Sequence, residues 1–464
     1  MAERKRVQPQ PEERNEPESK RSRTDDHKGP AKNTMKLTDV IDDCLEHVFM
    51  DLSLEDLLNI ADTNKELKPA ADMAFRRKFG KMEFQLDKDR FQCAIKLGEH
   101  IVINDKKTQL QLLRCFGHSV TKLVLRPPGV FSRRLISYAN KFCFNSLTDI
   151  KIMHFDFTRN NFLNKLGEKT VCGFSQNKFK LKKRFRNVEV VSLSSCQLYA
   201  DTNLKKLFPA MRRLDLFKCS TVTEETLIVK NTPKLEHLEM TCDRRISAEN
   251  ICTTLRSNPQ LRSLSLIGIV PPKDFWNICQ TLYQLESLRF DSIYCVKFKH
   301  ADIPINLPTL EKLDINIGKK DQRLMTSEKN KITFGQLKEI KLECMYSGWL
   351  PSINSHKWSN FFKKNKLIEK MTLWFYETDI NICETIITEA AQELPLLNEF
   401  ILYGRDFSVE EILRFIGKFN MMSYGFEMEN VDEFYNLKER LGVEWTASID
   451  DAWAAFVINV SRKL

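Results

Sequence analysis

Pro259-Gln260-Leu261-Arg262-Ser263-Leu264-Ser265-Leu266 is the stretch that decides how this chain is read. Leu264 and Leu266 alternate with polar residues, as in a strand with one buried face, and Leu261 stands three residues ahead of them. Pro259 precedes the first leucine by two positions. It cannot continue a helix and favours an extended residue before it, so it ends one element just before a strand begins. The same spacing recurs outward on both sides. Upstream it reads Leu235, Leu238, Met240 behind Pro233, and Met211, Leu214, Leu216 behind Pro209. Downstream it reads Leu285, Leu288, Phe290.

Carried along the whole chain, apolar-x-x-apolar-x-apolar begins at Val120, Leu147, Val188, Met211, Leu235, Leu261, Leu285, Leu310, Leu337, Ile368, Leu397 and Met421. A single match means nothing, because a chain that is 42% apolar produces the pattern at about 0.07 of its positions by chance. The phase carries the argument. Nine of the eleven intervals fall between 23 and 29 residues, the range of leucine-rich repeats. Pro209, Pro233, Pro259, Pro308 and Pro395 share one position in that period.

Between the strands the pattern is helical: Phe275, Ile278 and Leu282 fit one face, as do Ile412, Phe415 and Ile416 behind a capping box at Ser408 and Glu411. The expected fold is α/β, a curved leucine-rich-repeat solenoid with a parallel sheet on its concave face and helices outside. Each unit is stable only when stacked on its neighbours. Cys196 and Cys219 follow the last strand leucine by three residues and are read as small core residues that satisfy turn backbone groups. Ile101 to Phe116 is expected to cap one end, and the segment ending in Ala452–Val460 the other.

Composition excludes several classes. With 464 residues, 42% apolar and 29% charged, the chain can bury a core. Its longest apolar run, Ala452 to Ile458, is far short of the roughly 20 residues that span a bilayer. No apolar segment follows the basic residues at the N-terminus, so neither a membrane span nor a secretory leader is expected, and the chain is placed in the cytoplasm, the nucleus or both. The balance of 72 Lys+Arg against 62 Asp+Glu is a mild bias that does not point to nucleic acid. Thirteen cysteines without a CxxC pair read as reduced thiols, and eight histidines fall in no zinc spacing, so no cofactor is expected. No GxSxG, no P-loop and no cysteine paired with a well-placed histidine is evident, and the chain is read as non-catalytic.

Residues 1 to 36 hold almost no large apolar side chains and read as a disordered tail. Arg4-Lys5-Arg6 and Lys20-Arg21-Ser22-Arg23 within it fit either a bipartite nuclear import signal or a merely solvated tail. From Val40 the character changes. Leu45, Val48, Phe49 and Leu52, then Leu54, Leu57, Leu58 and Ala61, recur at helical spacing. Ser53 with Glu55 and Asp56 reads as a helix start, and Ala70 to Phe79 as a third helix closed by Gly80. Residues 81 to 119 are read as a connector and capping repeat, and 120 to 464 as the repeats with a C-terminal cap.

Residues 37 to 80 resemble an F-box, whose motif opens with Leu-Pro and Glu and continues apolar-x-x-Ile-Phe-x-x-Leu-x-x-x-Asp-Leu. Here it reads Val40-Ile41, Asp43, Leu45-Glu46-His47-Val48-Phe49-Met50-Asp51-Leu52 and then Asp56-Leu57. Together with the repeats, the chain resembles the F-box/leucine-rich-repeat proteins. The resemblance implies the substrate-recognition subunit of an SCF-type ubiquitin ligase. Its F-box would dock the Skp adaptor on a cullin scaffold through Leu45, Val48, Phe49, Leu52, Leu54 and Leu57. An unknown protein substrate would bind the concave face, at Arg289, Asp291, Asp314, Glu343, Trp374 and Tyr403. Glu339, Lys341 and Ile401 stand in the same row.

An alternative is a leucine-rich-repeat scaffold without a ligase role. It would bind a ribonucleoprotein through the basic stretch 160 to 187, where Phe174, Phe179 and Phe185 interleave with eight basic residues and a single acid, Glu168.

Overall fold

A computed structural model of the chain describes residues 42–87, 100–126, 131–154, 184–198, 204–221, 229, 231–241, 248–268, 275–291, 305–317, 332–344, 356–375, 380–403, 407–418, 423–428, 431–452 and 455–463. The tail at 1 to 36, Met421 and the basic residues from Lys165 to Lys183 lie outside them.

Three helices come first: α1 (Asp42–Met50), α2 (Leu54–Thr63) and α3 (Lys68–Phe79). Ser53 caps α2 as expected, its hydroxyl accepting the Asp56 N–H at 3.1 Å with acids in the first turn. Pro69 sits in the first turn of α3, where its missing N–H costs nothing. The Lys78 ammonium donates to the carbonyls of Met50 at 2.8 Å and Leu52 at 2.9 Å, tying α3 to the end of α1.

The alternation of strand and helix then begins. β1 (Glu83–Asp87), β2 (His100–Ile103), α4 (Lys106–Phe116), β3 (Lys122–Arg126), α5 (Phe131–Phe142), β4 (Asp149–Met153) and β5 (Val190–Ser194) lead into β6 (Gln197–Leu198), α6 (Leu204–Leu207), β7 (Arg213–Phe217) and β8 (Ser220–Thr221). The middle holds β9 (His237–Thr241), α7 (Ala248–Arg256), β10 (Ser263–Ile267), α8 (Phe275–Cys279), β11 (Ser287–Asp291), β12 (Ile305–Leu307), β13 (Lys312–Ile317), β14 (Ile332–Phe334) and β15 (Glu339–Cys344). The last part runs α9 (His356–Lys364), β16 (Lys370–Phe375), α10 (Ile380–Glu393), β17 (Glu399–Tyr403), α11 (Val409–Lys418), β18 (Ser423–Met428), α12 (Val431–Arg440), β19 (Trp445–Ala452) and β20 (Ala455–Arg462).

Sixteen of these strands form one sheet, in the order β2-β1-β3-β4-β5-β7-β9-β10-β11-β13-β15-β16-β17-β18-β20-β19. Every pairing from β2 to β18 is parallel. β20 reverses against β18, and β19 against β20. The protein is thus α/β, with a mostly parallel sheet.

The register is what makes this sheet cohere. In its central part Leu238, Leu264, Leu288 and Leu313 lie opposite one another, and so do Met240, Leu266, Phe290 and Ile315. All eight are buried, as are their equivalents from Phe84 and Leu86 on β1 to Tyr424 and Phe426 on β18. Two apolar rows therefore run unbroken through the parallel strands, each buried side chain contributing about 2 kcal/mol by transfer from water.

Ahead of several strands lies a repeated turn. The N–H of Met211 bonds to Phe208 O at 3.2 Å, Leu235 to Thr232 at 3.0 Å, Leu261 to Asn258 at 3.2 Å, Leu310 to Leu307 at 3.3 Å and Leu397 to Leu394 at 3.2 Å. The five in-phase prolines occupy the second position of these turns, which their fixed φ suits. In several of these units the residue three before the first apolar position fills the core: Phe208, Asn258, Leu282, Leu307, Phe334 and Leu394 are all buried.

Phe185 stands in that same phase before Val188. It is 1% exposed and stacks on Phe208 at 5.6 Å, so it is a repeat core residue and cannot stack on a base. This removes one of the three aromatic residues on which the ribonucleoprotein reading relied.

The cysteine expectation holds: the Cys196 thiol donates to Ile152 O at 3.4 Å and Cys219 to Leu193 O at 3.2 Å, both buried. The capping box forms too, Ser408 N–H donating to Glu411 Oε2 at 3.1 Å and Glu411 N–H to Ser408 Oγ at 3.4 Å.

At the ends the chain departs from the simple expectation. β1 was not foreseen, although Phe84 and Leu86 alternate as a strand should. It inserts between β2 and β3, leaving β2 at the edge. At the far end β19 and β20 extend the sheet beyond β18 by backbone pairing; they do not lie across its open face.

Candidate interaction surfaces

The first surface is on the three helices. α1 carries two adjacent stripes at four-residue spacing. Leu45 and Phe49 form one, and with Leu57 of α2 they are buried inside the protein, which gives them a packing role. Cys44 and Val48 form the other, and Leu52 follows just beyond the end of α1. Cys44 is exposed, Val48 is 60% exposed and Leu52 half-buried, with half-buried Leu54 next to it beyond Ser53. Of the six residues expected to meet an adaptor, the structure therefore leaves Val48, Leu52 and Leu54 at the surface. The stripe of Leu45 and Phe49 is the one turned inward, and sequence spacing alone does not say which of two neighbouring stripes a third helix will take.

This unit is seated firmly. Phe75 of α3 lies between Phe116 of α4, with centroids 4.3 Å apart, and Phe84 of β1, 5.7 Å apart. Thr121 Oγ1 donates to Gly80 O at 2.8 Å, and Arg114 pairs with Asp62.

The second surface is the open face of the sheet, formed by residues that alternate with the buried rows. Register places Arg289, Asp314, Lys341, Thr372 and Ile401 in one line, and Asp291, Asn316, Glu343, Trp374 and Tyr403 in the next. All the residues expected to contact a target thus belong by register to these two lines. Lys341 Nζ is 3.7 Å from Asp314, and Arg289 Nε is 3.2 Å from the same carboxylate. Burial raises the Asp314 carboxyl above its ordinary range, while the two cations beside it pull it back down.

Lys341 also reaches over the Trp374 ring at 5.5 Å, and Trp374 meets Tyr403 at 5.4 Å with rings tilted by 52°. Lys312–Glu339 at 2.9 Å and Lys370–Glu399 at 2.8 Å neutralise the line nearest the strand starts. The charged part of the face is therefore largely self-paired, and two touching aromatic rings, both half-buried, stand at its end. Large aromatic groups at such a place are favoured as binding anchors. Lys341, which ties the ionic and aromatic parts together, was read as one more residue of the row; its alternation with Leu342 was the available signal. Among the described residues no group of His, Cys, Asp and Glu side chains is arranged to hold a metal ion.

No protein-family model matches the chain, and a search of curated proteins found no match either.

Proposed function

We propose that the chain is a non-catalytic substrate receptor of an SCF-type ubiquitin ligase, with an F-box at residues 37 to 80 and a leucine-rich-repeat solenoid from 120 onward. The observation that carries this reading is the pairing of two surfaces on one continuous core. An apolar strip at the three helices, with Val48 exposed and Leu52 and Leu54 half-buried, stands at one end, and an aromatic pair (Trp374, Tyr403) at the open face toward the other. The strip would take the adaptor and the open face the target. Catalysis would then be by proximity: a target lysine is held at raised effective concentration near a charged conjugating enzyme, with no reacting group needed from this chain.

One experiment with two variants tests it. Val48→Asp places a charge on a residue that supports no core, so the protein stays folded while co-purification of Skp adaptor and cullin falls at least about tenfold. Trp374→Ala with Tyr403→Ala leaves adaptor recovery intact and abolishes recovery of proteins that accumulate under proteasome inhibition. Unchanged adaptor recovery with Val48→Asp sinks the ligase reading, and a large loss of thermal stability in the double variant reassigns the two rings to the core.

A further inference from the structure

We propose that Cys196 and Cys219 are a redox-responsive pair that closes into a disulfide on reaction with hydrogen peroxide and staples the turns after β5 and β7. Register holds on both sides of the two thiols. Ser194 lies opposite Phe217 before them and Gln197 opposite Ser220 after them, so Cys196 lies opposite Cys219. Neighbouring strands are about 4.8 Å apart, inside the window of about 4.4–6.8 Å that a disulfide needs between its Cα atoms. The carbonyls that the two thiols reach, Ile152 O at 3.4 Å and Leu193 O at 3.2 Å, belong to residues that are themselves register partners on β4 and β5.

The turns that carry the pair are alike and fixed. Ser195 and Lys218, with φ of 51° and 49°, both take the left-handed conformation, and their N–H groups bond to Phe217 O and Thr241 O, each at 2.8 Å. The two thiols also differ from other buried ones. A hydrogen bond from the Cys196 side chain holds the Cys219 thiol below the ordinary cysteine range against the opposing effect of burial. Burial alone pushes Cys143 up to about 12 and raises Cys279 as well. The thiolate is the reactive form, so Cys219 is the one poised to react first.

The reaction balances with one peroxide. The Cys219 thiolate attacks a peroxide oxygen, the O–O bond breaks, and one water leaves, giving a sulfenic acid. The Cys196 sulfur then attacks that sulfur, the S–O bond breaks, and a second water leaves as the S–S bond forms. Both thiol protons depart with the waters, and a thiol reductant reverses the step by exchange. Disulfides inside cells are mostly of this transient, sensing kind. Phe217, 48% exposed, ends β7 two residues before Cys219, and Ser194 ends β5 two residues before Cys196. The staple therefore fixes one rim of the open face. The inference does not depend on the ligase reading.

The test treats the folded full chain with hydrogen peroxide, blocks the remaining thiols with N-ethylmaleimide in denaturant, and maps the digest by mass spectrometry. Cys196 and Cys219 should disappear from the blocked pool together and return as one bridged peptide pair that dithiothreitol separates, while Cys143 and Cys279 stay blocked. Cys196→Ser keeps a hydroxyl donor for the Ile152 carbonyl; it should abolish the bridge and leave Cys219 as a sulfenic acid that dimedone traps. Hydrogen exchange of the Ser195 and Lys218 amides should slow on oxidation and recover on reduction. The proposal is overturned if the exposed Cys44 oxidises with no bridge between Cys196 and Cys219, or if that bridge forms only in urea. Bridging of either residue to another cysteine, or amide exchange unchanged by oxidation, overturns it too.

Discussion

Phe75→Ala should destabilise the protein by about 3–5 kcal/mol, the usual cost of emptying a fully buried aromatic site. Phe75 has no exposed surface and touches three rings at once: Phe79 in its own helix, Phe84 in the first strand and Phe116 in α4. It is an apolar link between the three helices and the sheet; of the polar links that remain, Thr121 Oγ1 to Gly80 O is part-buried, while Arg114–Asp62 is a solvent-exposed pair worth about 1 kcal/mol or less. Hydrogen exchange followed through urea unfolding checks it. Exchange in α1, α2 and α3 should accelerate first and most, with the strands beyond β5 little affected, because each unit of a stacked array depends chiefly on its neighbours. A loss below about 1 kcal/mol would show that the site collapses around the gap.

Leu264→Asp should cost more, beyond about 5 kcal/mol, and leave little soluble protein. Leu264 is fully buried in the middle of the sheet, opposite Leu238 on one side and Leu288 on the other. A carboxylate there would meet only hydrocarbon, and no cation lies in either apolar row to pair with it. The matched control is Ser263→Asp, one residue earlier, whose side chain is on the other face and half-buried. Moving by one residue along a strand changes the face entirely, so the control should alter stability by less than about 1 kcal/mol. Soluble yield and melting temperature of the two variants read the difference directly. Similar losses in both would mean that the strand does not hold this register.

The sheet was readable because its determinants are local and repeated. Leu261, Leu264 and Leu266 state the pattern once, and its recurrence with Pro209, Pro233, Pro259, Pro308 and Pro395 in phase fixes where each strand starts. Phe185 was legible by the same logic, three residues before Val188 as Phe208 is before Met211, but the basic residues around it drew the reading toward a ligand. β1 carries the alternation without the leading apolar residue and proline, and its place between β2 and β3 is a matter of topology that no local pattern encodes. On α1 the apolar residues were identified correctly, yet which of them face outward depends on where α3 lies. Spacing fixes stripes; only tertiary packing chooses between them.

The hydrogen-bonded register also turns the protein into a ruler graduated in strands. Ten strand steps separate β1, beneath the N-terminal helices, from β16, which carries Trp374. At about 4.8 Å per step the path along the sheet is about 48 Å. The 41-residue interval from Leu147 to Val188 advances that path by one step, from β4 to β5, just as the 23-residue interval from Val188 to Met211 does from β5 to β7. Lengthening a connection therefore leaves the span unchanged, while adding or removing one strand with its turn and helix shifts it by a whole graduation.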